Sequence, residues 1–156
     1  MADALPPAGR LAGIDFGTVR IGVAICDPAR TLASPYENYA RRSPALDEQF
    51  FRRLAQEERL VGFVVGLPVH MSGLESEKSL EARRFGTWLA TITQLPVVYF
   101  DERLTSAQAE ELLQAAGFTK KGRKARLDKL AAQIILSSFL ESTQRELKSH
   151  QPLEDN

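Results

Sequence analysis

The sequence predicts an α/β domain: a mixed five-stranded sheet, three antiparallel strands followed by two crossover strands, flanked by helices. Two patterns predict it. Short apolar runs crowd the start of the chain, and farther on apolar runs alternate with segments of helical period. Size agrees, since 156 residues with 44% apolar and 26% charged side chains suit one globular domain that buries its own core.

"RLAGID" and "RIGVAICD" flank "FGTV" and read as a hairpin with Gly17 in the turn. A third strand is expected over 31–39, completing an antiparallel meander. Ser43-Pro44 supplies an N-cap followed by proline at the first helical position, and Leu46, Phe50 and Leu54 recur every four residues, which predicts an amphipathic helix. "LVGFVVGL" has the continuous apolar, β-branched character of a strand covered on both faces. The loop "PVHMSGLES" then leads to a second helix carrying Leu80, Trp88, Leu89 and Ile92.

"LPVVYF" is the fifth strand and runs into "DERLTSAQAEELL", where Thr105 and Gln108 have capping-box spacing and predict a helix just after "DER". A last helix is expected from about Leu127, with Leu127, Leu130, Ala131, Ile134, Ile135, Ser138 and Phe139 along one side. Residues 1–9 read as a flexible leader, 10–148 as the domain and 149–156 as a polar tail. Right-handed crossovers place helices on both sheet faces, and this element order is that of the ribonuclease H-like (RNase H-like) fold.

Composition narrows the function classes. No apolar run approaches the roughly 20 residues of a spanning helix, and the N-terminal segment lacks the pattern of a secretory signal. The lone Cys26 offers neither a disulfide framework nor a thiolate cluster, and a reducing, cytoplasmic setting with no membrane partner is the simplest expectation. Twenty basic residues balance twenty acidic ones, so net charge is silent about a polyanion. Local charge is not: "KKGRKAR", 120–126, carries five cations and no acid and is expected to form a cationic loop.

In open sheets ligands gather where strands end. Asp15 ends the first strand, Asp101 and Glu102 end the fifth, and Asp128 is expected in the first turn of the last helix. Converging carboxylates without a Cys or His cluster suit Mg²⁺ or Mn²⁺, which prefer oxygen ligands and in pairs promote phosphodiester hydrolysis. Each acid alone has a plainer reading: a turn former for Asp15, a helix-terminus charge for Asp128, surface ion pairs for Asp101 and Glu102. Cations beside such acids suit a phosphate-rich substrate. His70 and His150 have no paired ligand spacing and read as surface residues.

The motifs "GIDFGTVRIGVAICD", "VVGLPVHMSG", "DERLTSAQAE" and "LDKLAAQIILSSFLE", in that order, resemble the YqgF family, also called RuvX, over almost the whole chain. The family is associated with Holliday junction resolution and with maturation of the small-subunit ribosomal RNA precursor. The resemblance implies an RNase H-like, metal-dependent nuclease with Asp15, Glu102 and Asp128 as metal ligands. Asp101 is the lesser candidate, because neighbours on a strand point to opposite faces. Arg20 and Arg103 fall in motif positions suited to phosphate, beside Lys120, Lys121, Arg123, Lys124 and Arg126. The loop "GLPVHMSG" departs from the family pattern, in which Asn and an acid are expected near His70 and Ser72.

The expected substrate is a structured RNA precursor, for 5′ maturation of pre-16S rRNA, or alternatively a branched DNA resolved as a Holliday junction. The chain is expected to act as a monomer or a homodimer. Two readings of other classes compete. "GIDFGT" also suits a nucleotide-binding protein of the actin and sugar-kinase type, though one domain leaves no room for the second that such a site requires. A non-catalytic nucleic-acid-binding domain would not require all three acids.

Overall fold

The computed structural model describes residues 4–69, 72–105 and 120–149; in the last stretch side chains are described for 130–144. Strands β1 (Arg10–Asp15), β2 (Arg20–Cys26) and β3 (Ala33–Ala40) are followed by α1 (Pro44–Glu57), β4 (Leu60–Leu67), α2 (Glu77–Thr93) and β5 (Val97–Asp101). A 3₁₀ turn (Glu102–Leu104) continues from β5, and α3 (Lys120–Ser149) is the last described element. The sheet order is β3-β2-β1-β4-β5, with the first three strands antiparallel and β1, β4 and β5 parallel.

Period-2 alternation along the central strands builds two cores. Ala12 and Ile14 of β1, Phe63, Val65 and Leu67 of β4, and Val97 and Tyr99 of β5 face α1 and α2 together with Phe51, Leu54, Phe85 and Leu89. Leu11, Val64, Val98 and Phe100 face the other way, onto Ala132, Ile135, Leu136 and Leu140 of α3. The long helix lies close to the sheet. A Cβ at Gly13 would come within 2.7 Å of the Leu136 Cβ and 2.9 Å of the Ala132 carbonyl oxygen.

Gly17 lies in the β1–β2 turn as expected, and close approach explains the residue: an added Cβ would sit 2.3 Å from the Arg20 carbonyl oxygen. The third strand is shifted to 33–40 because Asp27 closes the preceding turn, accepting from the Thr31 and Leu32 backbone N–H groups at 2.8 Å each. Ser43 caps α1 as its sequence implies, accepting from the Leu46 N–H.

The helix faces depart from the expected stripes. Leu46 is exposed, and Asp47, Phe51 and Leu54 form the buried face of α1. Asp47 is buried because it is fully engaged: Tyr39 donates to it at 2.6 Å, the Arg42 N–H at 2.9 Å and Arg41 Nε at 3.4 Å. Leu80 is likewise exposed, and α2 buries Ser79, Ala82, Phe85, Gly86, Leu89 and Ile92. Helix α3 begins at Lys120 rather than Leu127, so the basic stretch is helical, not a loop. Lys, Arg and Ala are good helix formers, and together they outweigh Gly122. Asp128 is thereby moved from the first turn of the helix to its third. The helix expected just after "DER" falls on 106–119, outside the described residues.

Candidate active site

At the carboxyl ends of β1, β4 and β5 opens a cleft of about 330 Å³, lined by Asp15, Phe16, Gly17, Thr18, Gly66, Pro68, Lys78, Glu81 and Glu102. Strand parity explains how two distant acids meet there. Leu11 and Gly13 face α3, so Asp15 is the next position on that face; Val98 and Phe100 face α3, so Glu102 continues the same alternation past the strand end. Between them Gly66 leaves room for the Ile135 side chain and the Glu102 carboxyl. A Cβ at Gly66 would meet Ile135 Cδ1 at 2.5 Å and Glu102 Cδ at 3.3 Å.

Asp101 falls on the opposite parity and has a different partner. Its carboxylate accepts from Arg103 Nη2 at 2.5 Å and Nε at 2.9 Å and caps the 3₁₀ turn through the Arg103 N–H at 2.9 Å. The Arg103 hydrogen bonds hold the Asp101 carboxyl below its ordinary range despite partial burial. Glu102 is pushed the other way, upward, by burial and then by the neighbouring Asp101 charge. One acid is thus neutralised by its own loop, and the other carries an uncomfortable charge into the cleft.

The opposite wall comes from the start of α2. Ser76 accepts from the Ser79 N–H at 3.0 Å and donates to the Pro68 carbonyl at 2.7 Å, tying the helix N-terminus to the residue that follows β4. Ser79 completes the capping box by accepting from the Ser76 N–H at 3.0 Å. Arg83 is held by Glu75 at 2.6 Å. This frame sets Lys78 and Glu81 on the cleft wall.

Sequence reasoning singled out Asp15 and Glu102 and missed Lys78 and Glu81 as lining residues. The signal for the latter was positional: α2 starts just after a parallel strand ends, where open sheets collect ligands. Arg20 is exposed at the first position of β2 and is absent from the cleft lining. Asp128, Lys120, Lys121, Arg123, Lys124 and Arg126 lie on the α3 backbone, with their side chains outside the described residues; His70 and His150 lie outside them entirely. Among the described residues no group of three or more His, Cys, Asp or Glu side chains is arranged to hold a metal. Three carboxylates, Asp15, Glu81 and Glu102, line the cleft, and oxygen donors of this kind fit a hard cation. A divalent ion between them would offset the burial and repulsion that Glu102 bears.

Comparison with known proteins agrees with this architecture. The family model RuvX, described as Holliday junction resolvase, matches residues 9–142. A protein of Rhodopirellula baltica named "Putative pre-16S rRNA nuclease" is 50% identical over 140 residues, covering 90% of this chain and 81% of that protein. One of the same name from Rhodobacter capsulatus is 39% identical over 140 residues, covering 90% and 88%. Among solved structures, Thermus thermophilus RuvC in complex with a Holliday junction substrate superposes with a TM-score of 0.55 at 14% identity, over 87% of this chain and 96% of that one. The yeast mitochondrial Holliday junction resolvase Ydc2 gives 0.53 at 13% identity, over 94% and 83%. These two show the fold, which is RNase H-like. The extent of the family match and the identity of the curated relatives, joined to the acid cleft at the strand ends, establish that the chain belongs to the RuvX family and is a nuclease.

Proposed function

We propose that the chain hydrolyses phosphodiester bonds of a structured RNA precursor, in 5′ maturation of pre-16S rRNA in the cytoplasm, with Asp15, Glu102 and Asp128 holding Mg²⁺ or Mn²⁺. The observation that carries this reading is that Asp15 and Glu102, both on the parity of the sheet face that α3 covers, line one cleft at the strand ends. Asp128 is the third ligand by its place on that helix, one turn before Ala132, whose carbonyl oxygen approaches Gly13. When bound, the divalent ion supplies positive charge for the phosphate oxygens and acidifies an attacking water.

The chain's own residues divide the remaining work. Lys78 presents an exposed cation at the cleft wall, where the phosphate enters. Arg103 keeps Asp101 occupied, which leaves Glu102 as the fifth strand's contribution to the cleft. Arg20, Arg103 and the cations of 120–126 would follow the flanking backbone, Lys120, Lys121, Arg123, Lys124 and Arg126 from a helix.

The RNA precursor is favoured by the names of the curated relatives, and branched DNA by the description of the family model. The deciding experiment incubates purified protein and Mn²⁺ with a precursor rRNA fragment and, in parallel, a four-way junction DNA. Cleavage of the RNA at a defined position with the junction left intact supports the RNA reading. Paired symmetric cuts in the junction alone overturn it.

A further inference from the structure

A second pocket, of about 360 Å³, opens beside the cleft and shares Phe16 and Glu81 with it. Its floor is the buried ring of Phe85, on which Phe16 stacks at 4.9 Å between centroids and 29° between planes. Trp88, half-buried, tilts against the same ring at 5.5 Å, and the Arg41 guanidinium lies 5.4 Å from the Phe16 centroid. Arg84 stands exposed at the mouth. Asp47 beneath is already engaged by Tyr39, Arg41 and the Arg42 N–H, so the charge left facing the mouth comes from the Arg84 guanidinium and, on the cleft side, Glu81.

We propose that this pocket takes an unpaired nucleobase of the strand whose backbone enters the carboxylate cleft. Three features carry the assignment. Aromatic rings and guanidinium planes are the surfaces on which unstacked bases settle, whereas a paired helix shows them no base face. The pocket and the cleft share Phe16, the residue after Asp15, and Glu81 in their linings, so base and cut phosphate would belong to neighbouring nucleotides of one strand. The guanidinium of Arg84 suits the phosphate of that nucleotide, and the carboxylate of Glu81 can accept from an exocyclic amine. The proposal rests on the nuclease reading and adds to it a preference for cutting beside a bulge, a loop or a frayed end.

Trp88 is the chain's single tryptophan, so its emission reports the pocket directly. Two hairpin RNAs of equal length, one with a bulged adenosine and one fully paired, are titrated into the full chain while anisotropy of a terminal dye follows binding. The bulged RNA is expected to quench Trp88 in a saturable way. Trp88→Leu is expected to bind it about 5- to 150-fold more weakly, the range that removing one base-stacking surface implies, with little change for the paired RNA. Arg84→Glu, a change at an exposed position, is expected to weaken the bulged RNA similarly and serves should Trp88→Leu fold poorly.

If both RNAs bind by anisotropy while Trp88 emission stays constant and Arg84→Glu binds as wild type, the pocket assignment is overturned and the nuclease reading stands. If neither RNA binds and neither is cut with Mn²⁺, both fall. Emission that changes with protein concentration alone would make the pocket a contact between copies of the chain and overturn the proposal.

Discussion

Glu102 shows at a single residue how this cleft trades stability for chemistry. Its carboxyl titrates at higher pH in the folded chain than in the unfolded one, because burial and then Asp101 disfavour the charge. The ionised form is therefore a cost borne above the folded pKa, and it disappears as pH falls through that value. In metal-free protein, Glu102→Gln is expected to raise Tm at neutral pH and to leave it unchanged well below the ordinary glutamate range, while cleavage is lost. Paired melts with EDTA at the two pH values check this, and a fall in Tm at neutral pH would mean that Glu102 stabilises the fold. Asp47 has the opposite sign. Burial alone would raise its carboxyl, but the bonds from Tyr39, the Arg42 N–H and Arg41 outweigh burial and hold it below the ordinary range. Its stabilisation is present above the unfolded pKa and lost as pH falls through the folded one. Tyr39→Phe is expected to cost about 1.5–3 kcal/mol at neutral pH, the worth of a hydrogen bond to a charged group. Urea titrations should show that cost shrinking in acid.

Among the elements, α3 is the one on which both the second core and the proposed third ligand depend. Gly13 lets it approach β1, with the Ala132 carbonyl oxygen and Leu136 where a Cβ would go. Gly13→Ala forces the helix backbone away, since a carbonyl cannot swing aside like a side-chain tip; the expected loss is about 1–3 kcal/mol. Cleavage should fall more than stability does, because Asp128 moves with the helix. Chemical denaturation and cleavage rates on the same preparation separate the two effects. Element type and order were legible in the sequence because alternation and helical period differ so plainly. Which face of α1 or α2 turns inward was less so. Leu46 and Leu80 fit an apolar stripe by residue type, yet the buried positions include Asp47 and Ser79, whose polar groups find partners that no linear pattern reveals. The start of α3 was missed for a related reason. A run of cations was read as a solvated loop, although cations extend a helix readily.

For the whole molecule, acids line the cleft and the cations of 120–126 are proposed to lie around the substrate backbone, the distribution that metal-assisted cutting of a polyanion calls for. Neutralising Lys120, Lys121, Arg123 and Lys124 together is expected to weaken substrate binding and reduce the steepness of log K against log salt by about 0.7–0.9 for each phosphate left without its cation. Anisotropy titrations at several salt concentrations test it, and an unchanged slope would show that this part of α3 never meets the substrate. The cleft's own acids were legible because strand ends and parity are written in the sequence. Lys78 and Glu81 were not, since their approach depends on how the Ser76 cap is tied to Pro68. The pocket around Trp88 was equally hidden, because Phe16, Arg41 and the two rings of α2 come from three separate parts of the chain.

The central claim is that Asp15 holds the divalent ion with which the chain cuts nucleic acid. Its most direct test is cleavage of a precursor rRNA fragment by wild type and by Asp15→Asn across a Mn²⁺ titration, with EDTA as the metal-free reference. Wild type is expected to cut only with metal, and the variant to lose at least about a hundredfold in rate, comparable to removing a group that stabilises transition-state charge. RNA binding by anisotropy should persist in the variant. Cleavage by Asp15→Asn at the wild-type rate, or wild-type cleavage that survives EDTA, would contradict it.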